Sequence, residues 1–172
     1  QTTKDKARED VGPRGATVTS DTLKYRIQGL ELGVAGKMTE RLSLFGGANF
    51  MSSKVLRSAD SDNVGLSVAN VAHEQLNILA TYQVTDKFMI GGRINYQGSI
   101  DLGSVAANGR SIPDALTFDL LGEYEVADNM KLKMGITNVA DKTVYDAAYR
   151  SGTPFTYVAP GREISISLDM KF

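Results

Sequence analysis

The end of the chain alternates between apolar and polar side chains. Ile164, Ile166, Leu168, Met170 and Phe172 share one parity, and polar residues occupy the positions between them. Alternation with a period of two residues places one kind of side chain on each face of a β-strand, whereas a helix would mix them around its circumference. This segment is therefore predicted to be a strand with one apolar face and one wet face.

The same pattern recurs six times upstream and predicts an all-β chain. Short turns at 39–40, 85–86 and 127–129 alternate with long connections near 58–72, 101–114 and 139–160, and acidic residues recur in the short turns. This spacing indicates a repeating two-strand hairpin and hence an antiparallel meander. The seven predicted strands are 22–38, 41–57, 73–84, 87–100, 115–126, 130–138 and 161–172.

Alternation alone fits both a soluble β-sheet and part of a transmembrane β-barrel. Three features favour the barrel. The strands are long enough for a tilted bilayer span of about 9–11 residues, and short turns alternate with long connections, as in outer-membrane barrels. In addition, aromatic residues concentrate near strand ends on the apolar parity, as in an interfacial girdle: Phe50, Tyr82, Phe88, Tyr96, Phe118 and Tyr124.

Composition excludes several classes of site. Lys plus Arg is 19 and Asp plus Glu is 20, so a basic nucleic-acid-binding surface is not expected. The chain has no cysteine and one histidine, His73, which excludes thiolate chemistry and any site with two imidazoles. No catalytic residue and no metal ligand is predicted, and the chain is not expected to be an enzyme.

Four short segments resemble the C-terminal end of a TonB-dependent outer-membrane siderophore receptor, and the long final connection, 145–162, is similar to the catecholate branch of these receptors. The four segments are 29–36 (GLELGVAG), 70–73 (NVAH), 137–142 (TNVADK) and 159–162 (APGR), the last preceding a strand that ends at Phe172. The resemblance extends from about Tyr25 to Phe172. Each segment alone is weakly diagnostic, and their order and spacing carry the likeness.

The resemblance implies a fold and a location. Receptors of this family are 22-stranded barrels with a plugged lumen in the Gram-negative outer membrane. On this interpretation, residues 1–21 are the remnant of a polar extracellular loop. Residues 22–172 are then the C-terminal seven strands of the barrel, without the plug domain and the remaining strands. The implied partners are outer-membrane lipid, the rest of the receptor, the TonB complex acting through the plug, and the barrel-assembly machinery.

The resemblance also implies a function, which is import of a ferric siderophore of the catecholate type with TonB-coupled energy. The siderophore is a transported ligand, and no covalently bound cofactor is expected. Aromatic rings with an arginine suit an anionic aromatic complex, so the predicted ligand contacts are Tyr145, Tyr149, Arg150, Phe155 and Tyr157. Phe172, with Met170 and Leu168, is the expected outer-membrane assembly signal.

Alternative interpretations remain open for the whole chain and for single residues. The chain could be a complete eight-stranded barrel with a structural or adhesive role, using 16–20 as a stunted eighth strand. His73 could be a loop-end residue, and Asp60, Asp62 and Asn63 a solvated loop without calcium spacing. Asp119, Glu123 and Glu125 share one face of a strand, where Arg93, Lys131 and Lys133 can pair with them across the sheet.

Overall fold

The computed structural model describes residues 1–11, 18–68, 70–101, 111–149 and 155–171. These residues form β-strands and connections, with a single 3₁₀ turn at Ser61–Asn63. No helix in these ranges has the length and hydropathy needed to span a membrane. The strands are β1 (Thr2–Val11), β2 (Val18–Lys37), β3 (Leu42–Arg57), β4 (Glu74–Thr85), β5 (Phe88–Gln97), β6 (Ile100–Asp101), β7 (Ser111–Ile112), β8 (Ala115–Ala127), β9 (Met130–Thr137), β10 (Tyr145–Tyr149), β11 (Phe155–Val158) and β12 (Glu163–Met170).

The main sheet contains eight antiparallel strands in the order β1-β2-β3-β4-β5-β8-β9-β12. Two small hairpins, β6-β7 and β10-β11, lie in the second and third long connections. Every strand of the main sheet therefore pairs with its sequence neighbour once these hairpins are set aside. This arrangement confirms the predicted all-β meander.

The seven predicted strands are all present, and most of their bounds agree within three residues. The largest difference at a strand start is in β2, which begins at Val18 rather than at residue 22. Predicted strand 87–100 ends earlier, at Gln97, although the Gly98 N–H still donates to the carbonyl of Glu74 at the start of β4. Phe172, predicted to end the last strand, lies outside the described residues.

Residues 1–21, predicted to be the remnant of a polar extracellular loop, contain a β-strand that was not predicted. Thr2–Val11 forms β1 and pairs with the first half of β2, from Thr2 opposite Ile27 to Val11 opposite Val18. The sequence did not show this strand because the segment has no alternation of apolar and polar residues. Polar cross-strand contacts stabilise the pairing instead, including Asp5 with Lys24 at 3.3 Å and with Arg57 at 2.6 Å. The extracellular position of this hairpin stays a prediction.

One face of the sheet is a continuous apolar belt formed by even-numbered side chains. The register aligns them across strands, with Leu30 opposite Phe50, and Ile94 opposite both Ile78 and Phe118. Leu120 and Leu168 lie in this belt and are 52% and 50% exposed. No second layer covers the belt among the described residues, as expected for the lipid-facing wall of a barrel.

The opposite face is polar and carries the odd-numbered charged residues. At the short-turn end, Lys131 contacts Glu123 at 2.9 Å and Lys133 pairs with Asp169 on β12. The predicted pairing with the carboxylates of β8 is therefore confirmed for Lys131, whereas Lys133 pairs with Asp169 instead. Strand alternation places Asp119 and Asp169 on this polar face, away from Leu120 and Leu168.

The only cluster of buried apolar side chains among the described residues lies between the long connections. Ala72, Ile100 and Ile112 are buried there, and Tyr145 packs against them. A bridge between Ala72 and Ile100 and a hydrogen bond from the Asn70 N–H to the Asp101 carbonyl join the first two connections. Three long connections are thus fixed to one another at one end of the sheet.

Candidate ligand-contact surface

The last long connection folds into the β10-β11 hairpin, which carries most of the predicted ligand contacts. Tyr145 lies opposite Val158, and Tyr149 lies opposite Phe155. The hairpin extends towards the sheet through a hydrogen bond of 2.9 Å from the Ala159 N–H to the Val144 carbonyl. Backbone pairing therefore gives this connection a regular structure that the sequence did not predict.

Phe155 and Tyr157 form an exposed aromatic pair on β11. Their ring centroids are 5.5 Å apart with an interplanar angle of 68°, and the side chains are 50% and 55% exposed. Exposed aromatic rings in edge-to-face contact form the kind of surface that can pack against a further aromatic group. Among the predicted contact residues whose side chains the structure describes, these two are the exposed ones.

Of the other three predicted contact residues, Tyr145 has a described side chain, and it differs from this pair. Tyr145 is only partly exposed and packs against the cluster of Ala72, Ile100 and Ile112. Its position indicates that it anchors the hairpin. Arg150 lies outside the described residues, and only the backbone pairing of Tyr149 is described, so their roles stay predictions.

A rigid turn holds the base of this connection. Asn138 and Asp141 both adopt left-handed backbone conformations, with φ of 48° and 52°. The Asn138 side chain donates to the Lys142 carbonyl at 2.8 Å and accepts from the Lys142 N–H at 3.0 Å. Asp141 accepts from the Arg162 N–H at 2.7 Å, which ties the turn to the residue preceding β12.

A recess of about 440 Å³ opens on the polar face, close to the base of the hairpin. Val144 from the last connection contributes to its wall, and Glu31 is the only charged residue that lines it. Most of the polar lining consists of amides and a hydroxyl from β3, β4, β5 and β8: Asn49, Gln75, Asn77, Asn95, Gln97 and Thr117. These residues were not predicted from the sequence, although their common parity on neighbouring strands indicated that they share one face of the sheet.

Asp119 connects this recess to the rigid turn. Its carboxylate accepts from the Asn95 side chain at 3.0 Å and from the Asn138 N–H at 2.9 Å. Arg93 lies directly opposite Asp119 in the register, as expected for cross-strand pairing, but forms none of the ion pairs recorded among the described side chains. Asp119 therefore organises the polar face through hydrogen bonds.

The remaining candidates keep their structural interpretations. The His73 carbonyl accepts from the Met51 N–H at 2.6 Å, and its Nε2 atom is buried without a hydrogen-bond partner in the described part of the chain. The Asp60 side chain caps the 3₁₀ turn by accepting from the Asp62 N–H at 3.1 Å. No group of three or more potential metal-ligating side chains occurs within the described ranges.

Comparison with protein families gives a match over most of the chain. The family model described as "TonB dependent receptor-like, beta-barrel" matches residues 2–139. Among curated proteins, the Probable TonB-dependent siderophore receptor PiuA of Acinetobacter baumannii is 24% identical over 100% of this chain and 24% of its own length. The Metal-pseudopaline receptor CntO of Pseudomonas aeruginosa is 27% identical over 86% of this chain and 21% of its own.

Solved structures show the same fold. The crystal structure of the siderophore receptor PiuA from A. baumannii superposes with a TM-score of 0.86 and 23% identity, covering 99% of this chain and 25% of the receptor. The ferric-catecholate import receptor Fiu from Escherichia coli K12, in its closed form, gives a TM-score of 0.82 and 22% identity, covering 99% and 24%. The chain spans about a quarter of the length of these receptors.

Proposed function

Because the chain belongs to the TonB-dependent receptor-like β-barrel family, we propose that it is the C-terminal wall of a receptor that imports a ferric siderophore. The chain is part of a barrel in the outer membrane of a Gram-negative bacterium. In the proposed receptor, the remaining barrel strands and a plug domain complete the lumen, and the TonB complex supplies energy through the plug. The barrel-assembly machinery is the proposed route of insertion.

The observation that carries this proposal is the exposed Phe155–Tyr157 pair on a hairpin that is itself anchored. Tyr145 fixes the hairpin to the neighbouring connections, and the Asn138 turn fixes its base. An anchored hairpin loses little conformational entropy when its exposed rings contact a ligand, which favours binding. A siderophore already surrounds its iron, so the receptor needs to recognise only the outside of the complex.

The finer proposal is that the siderophore is of the catecholate type. Aromatic rings on β11 can contact catechol rings edge to face, and Arg150 would supply positive charge for the anionic complex. A relative whose name fits this class is the Catecholate siderophore receptor Fiu of E. coli K12, 28% identical over 78% of this chain. The metal-pseudopaline receptor CntO is a relative with a different ligand, so the class must be tested directly.

Replacement of the aromatic pair tests the proposal in the full receptor. We expect Phe155→Ala/Tyr157→Ala to weaken binding of a ferric tris-catecholate complex by about tenfold or more, since each lost aromatic contact contributes about 0.5–1.5 kcal/mol. Binding is measured by quenching of protein fluorescence, and uptake by ⁵⁵Fe transport with and without functional TonB.

The chain offers a matched control at the opposite end of the sheet. Phe88 and Tyr124 form a similar edge-to-face pair, with centroids 6.4 Å apart, near the short turns. Phe88→Ala/Tyr124→Ala should leave the affinity of the correctly inserted receptor unchanged. Equal affinity of both double variants would reject the hairpin as a ligand contact, and TonB-independent uptake would reject the transport proposal.

A further inference from the structure

Two cations lie directly opposite each other on the outer face of the sheet, beyond the apolar belt. Arg26 on β2 pairs in register with Lys54 on β3, and both side chains are exposed. The ladder is continuous from this pair down to Leu30 opposite Phe50, so all four side chains share one face. The cations therefore project from the same face as the lipid-facing residues.

Within the described part of the chain, no carboxylate neutralises this pair. Lys24 and Arg57 flank it further from the belt, and both contact the same carboxylate, that of Asp5. None of the ion pairs among the described side chains includes Arg26 or Lys54. We call these four cations the basic rim: Lys24, Arg26, Lys54 and Arg57. With one acid among four cations, the rim carries a net positive charge.

An unneutralised pair of like charges directly across a ladder destabilises a sheet. Its presence at a surface therefore points to an anion that occupies the site in the native setting. Phosphate suits both residues, because guanidinium groups bind its oxygens in bidentate geometry and lysine binds it as a point charge.

The height of the rim identifies the source of the phosphate. Arg26 and Lys54 lie four residues beyond Leu30 and Phe50, roughly 13 Å along the strands at about 3.3 Å per residue. The intervening row, Gln28 opposite Ser52, is polar and uncharged. This sequence of apolar belt, neutral row and cationic row follows the change from lipid tails to charged head groups.

We propose that the basic rim binds the phosphate groups of outer-leaflet lipid, with Arg26 and Lys54 as the principal contacts. The outer leaflet of a Gram-negative outer membrane carries phosphate on the sugar backbone of lipid A. This contact requires the long connections to lie at the extracellular end of the barrel. It does not depend on which ligand the receptor imports. It predicts a lipid-specific contact in addition to the non-specific contact of the apolar belt.

The test uses the full receptor in nanodiscs of phosphatidylcholine alone, with bis-phosphorylated lipid A, or with the same lipid A after removal of its phosphates. We expect Arg26→Gln/Lys54→Gln to reduce retention of bis-phosphorylated lipid A, measured by native mass spectrometry, about tenfold or more. Added salt should weaken wild-type retention because the rim is exposed. Without lipid phosphate, the double variant should match or exceed the thermal stability of the wild type.

Arg41→Gln/Lys87→Gln is the matched control, since it removes the same two charges near the short turns, where both side chains are exposed. This control should retain lipid A like the wild type. Equal retention by the rim variant and the wild type would overturn the proposal. The proposal would also be overturned if inorganic phosphate alone stabilised the wild type in detergent as much as bis-phosphorylated lipid A does. The rim would then be a site for free phosphate.

Discussion

The carboxylate of Asp119 accepts a hydrogen bond of 2.9 Å from the backbone N–H of Asn138. This bond joins the middle of β8 to the left-handed turn that begins the last long connection. Asn138 is only 7% exposed, although its side chain is polar. The buried Asn138 therefore connects β8 of the main sheet to the base of the β10-β11 hairpin.

Replacing Asn138 should loosen this junction. Asn138→Ala loses both side-chain hydrogen bonds with Lys142. It also puts alanine, which disfavours positive φ, at a position where φ is 48°. We expect the receptor to lose about 1–3 kcal/mol of stability, measured by chemical unfolding. Asn138→Gly keeps the backbone conformation and loses only the side chain, so it should be less damaging. Similar losses for both variants would show that backbone conformation contributes nothing.

Tyr145 should control the order of the hairpin independently of ligand contact. Tyr145→Ala removes the ring that packs on Ala72, Ile100 and Ile112, at a local cost of about 1–2 kcal/mol for a partly buried side chain. Amide hydrogen exchange in β10 and β11 should accelerate, while exchange in β8 and β9 stays slow. Tyr145→Phe keeps the ring and is the control. Unchanged exchange in the alanine variant would rule out an anchoring role.

A charge placed in the apolar belt should oppose insertion. Leu120 lies opposite Gly92 and Ile136, near the middle of their strands, so Leu120→Arg should cost about 2–4 kcal/mol near the bilayer midplane. Thr81→Arg is the control on the polar face, where its cross-strand neighbours are Ser43 and Gly91. Folding yield in lipid vesicles should fall for the first variant only. Equal yields would argue for a soluble sheet.

Phe172 is expected to act in outer-membrane assembly, together with Leu168 and Met170. Phe172→Ala in the full receptor should lower the amount assembled in the outer membrane while export from the cytoplasm continues. Ile164→Ala, at a position of the same parity on β12, is the control for loss of an apolar side chain. The amount of assembled receptor is measured by membrane fractionation and immunoblotting. Wild-type levels of the Phe172→Ala receptor would show that Phe172 is not part of the assembly signal.

The strands of the main sheet could be predicted from the sequence better than the structure of the long connections. Strands such as β9 and β12 face two different environments, and this difference appears directly as alternation of side chains. In β1, the side chains that the structure describes, Thr2 to Asp5, are all exposed, and the sequence shows no such pattern there. The amide-lined recess was not predicted, because it depends on the register that brings Asn77 beside Asn95.

Prediction of the ligand contacts was limited by packing. The cluster of tyrosines and Phe155 was visible in the sequence, but nothing in the order of residues distinguished a ring that packs inward from one that stays exposed. Tyr145 packs inward because Ile100 and Ile112, from another connection, form a surface for it. Long-range contacts of this kind depend on the path of the chain between strands.

The meander order bears on how the chain folds. Each strand pairs with a neighbour in sequence, so closing a pair through a short turn, such as 38–41 or 128–129, costs little chain entropy. Pairs joined by the long connections need larger loops to close and should form later. The hairpins β2-β3, β4-β5 and β8-β9 are therefore natural kinetic units. We expect the order of assembly along the chain to be set by the lengths of the connections rather than by the strands themselves.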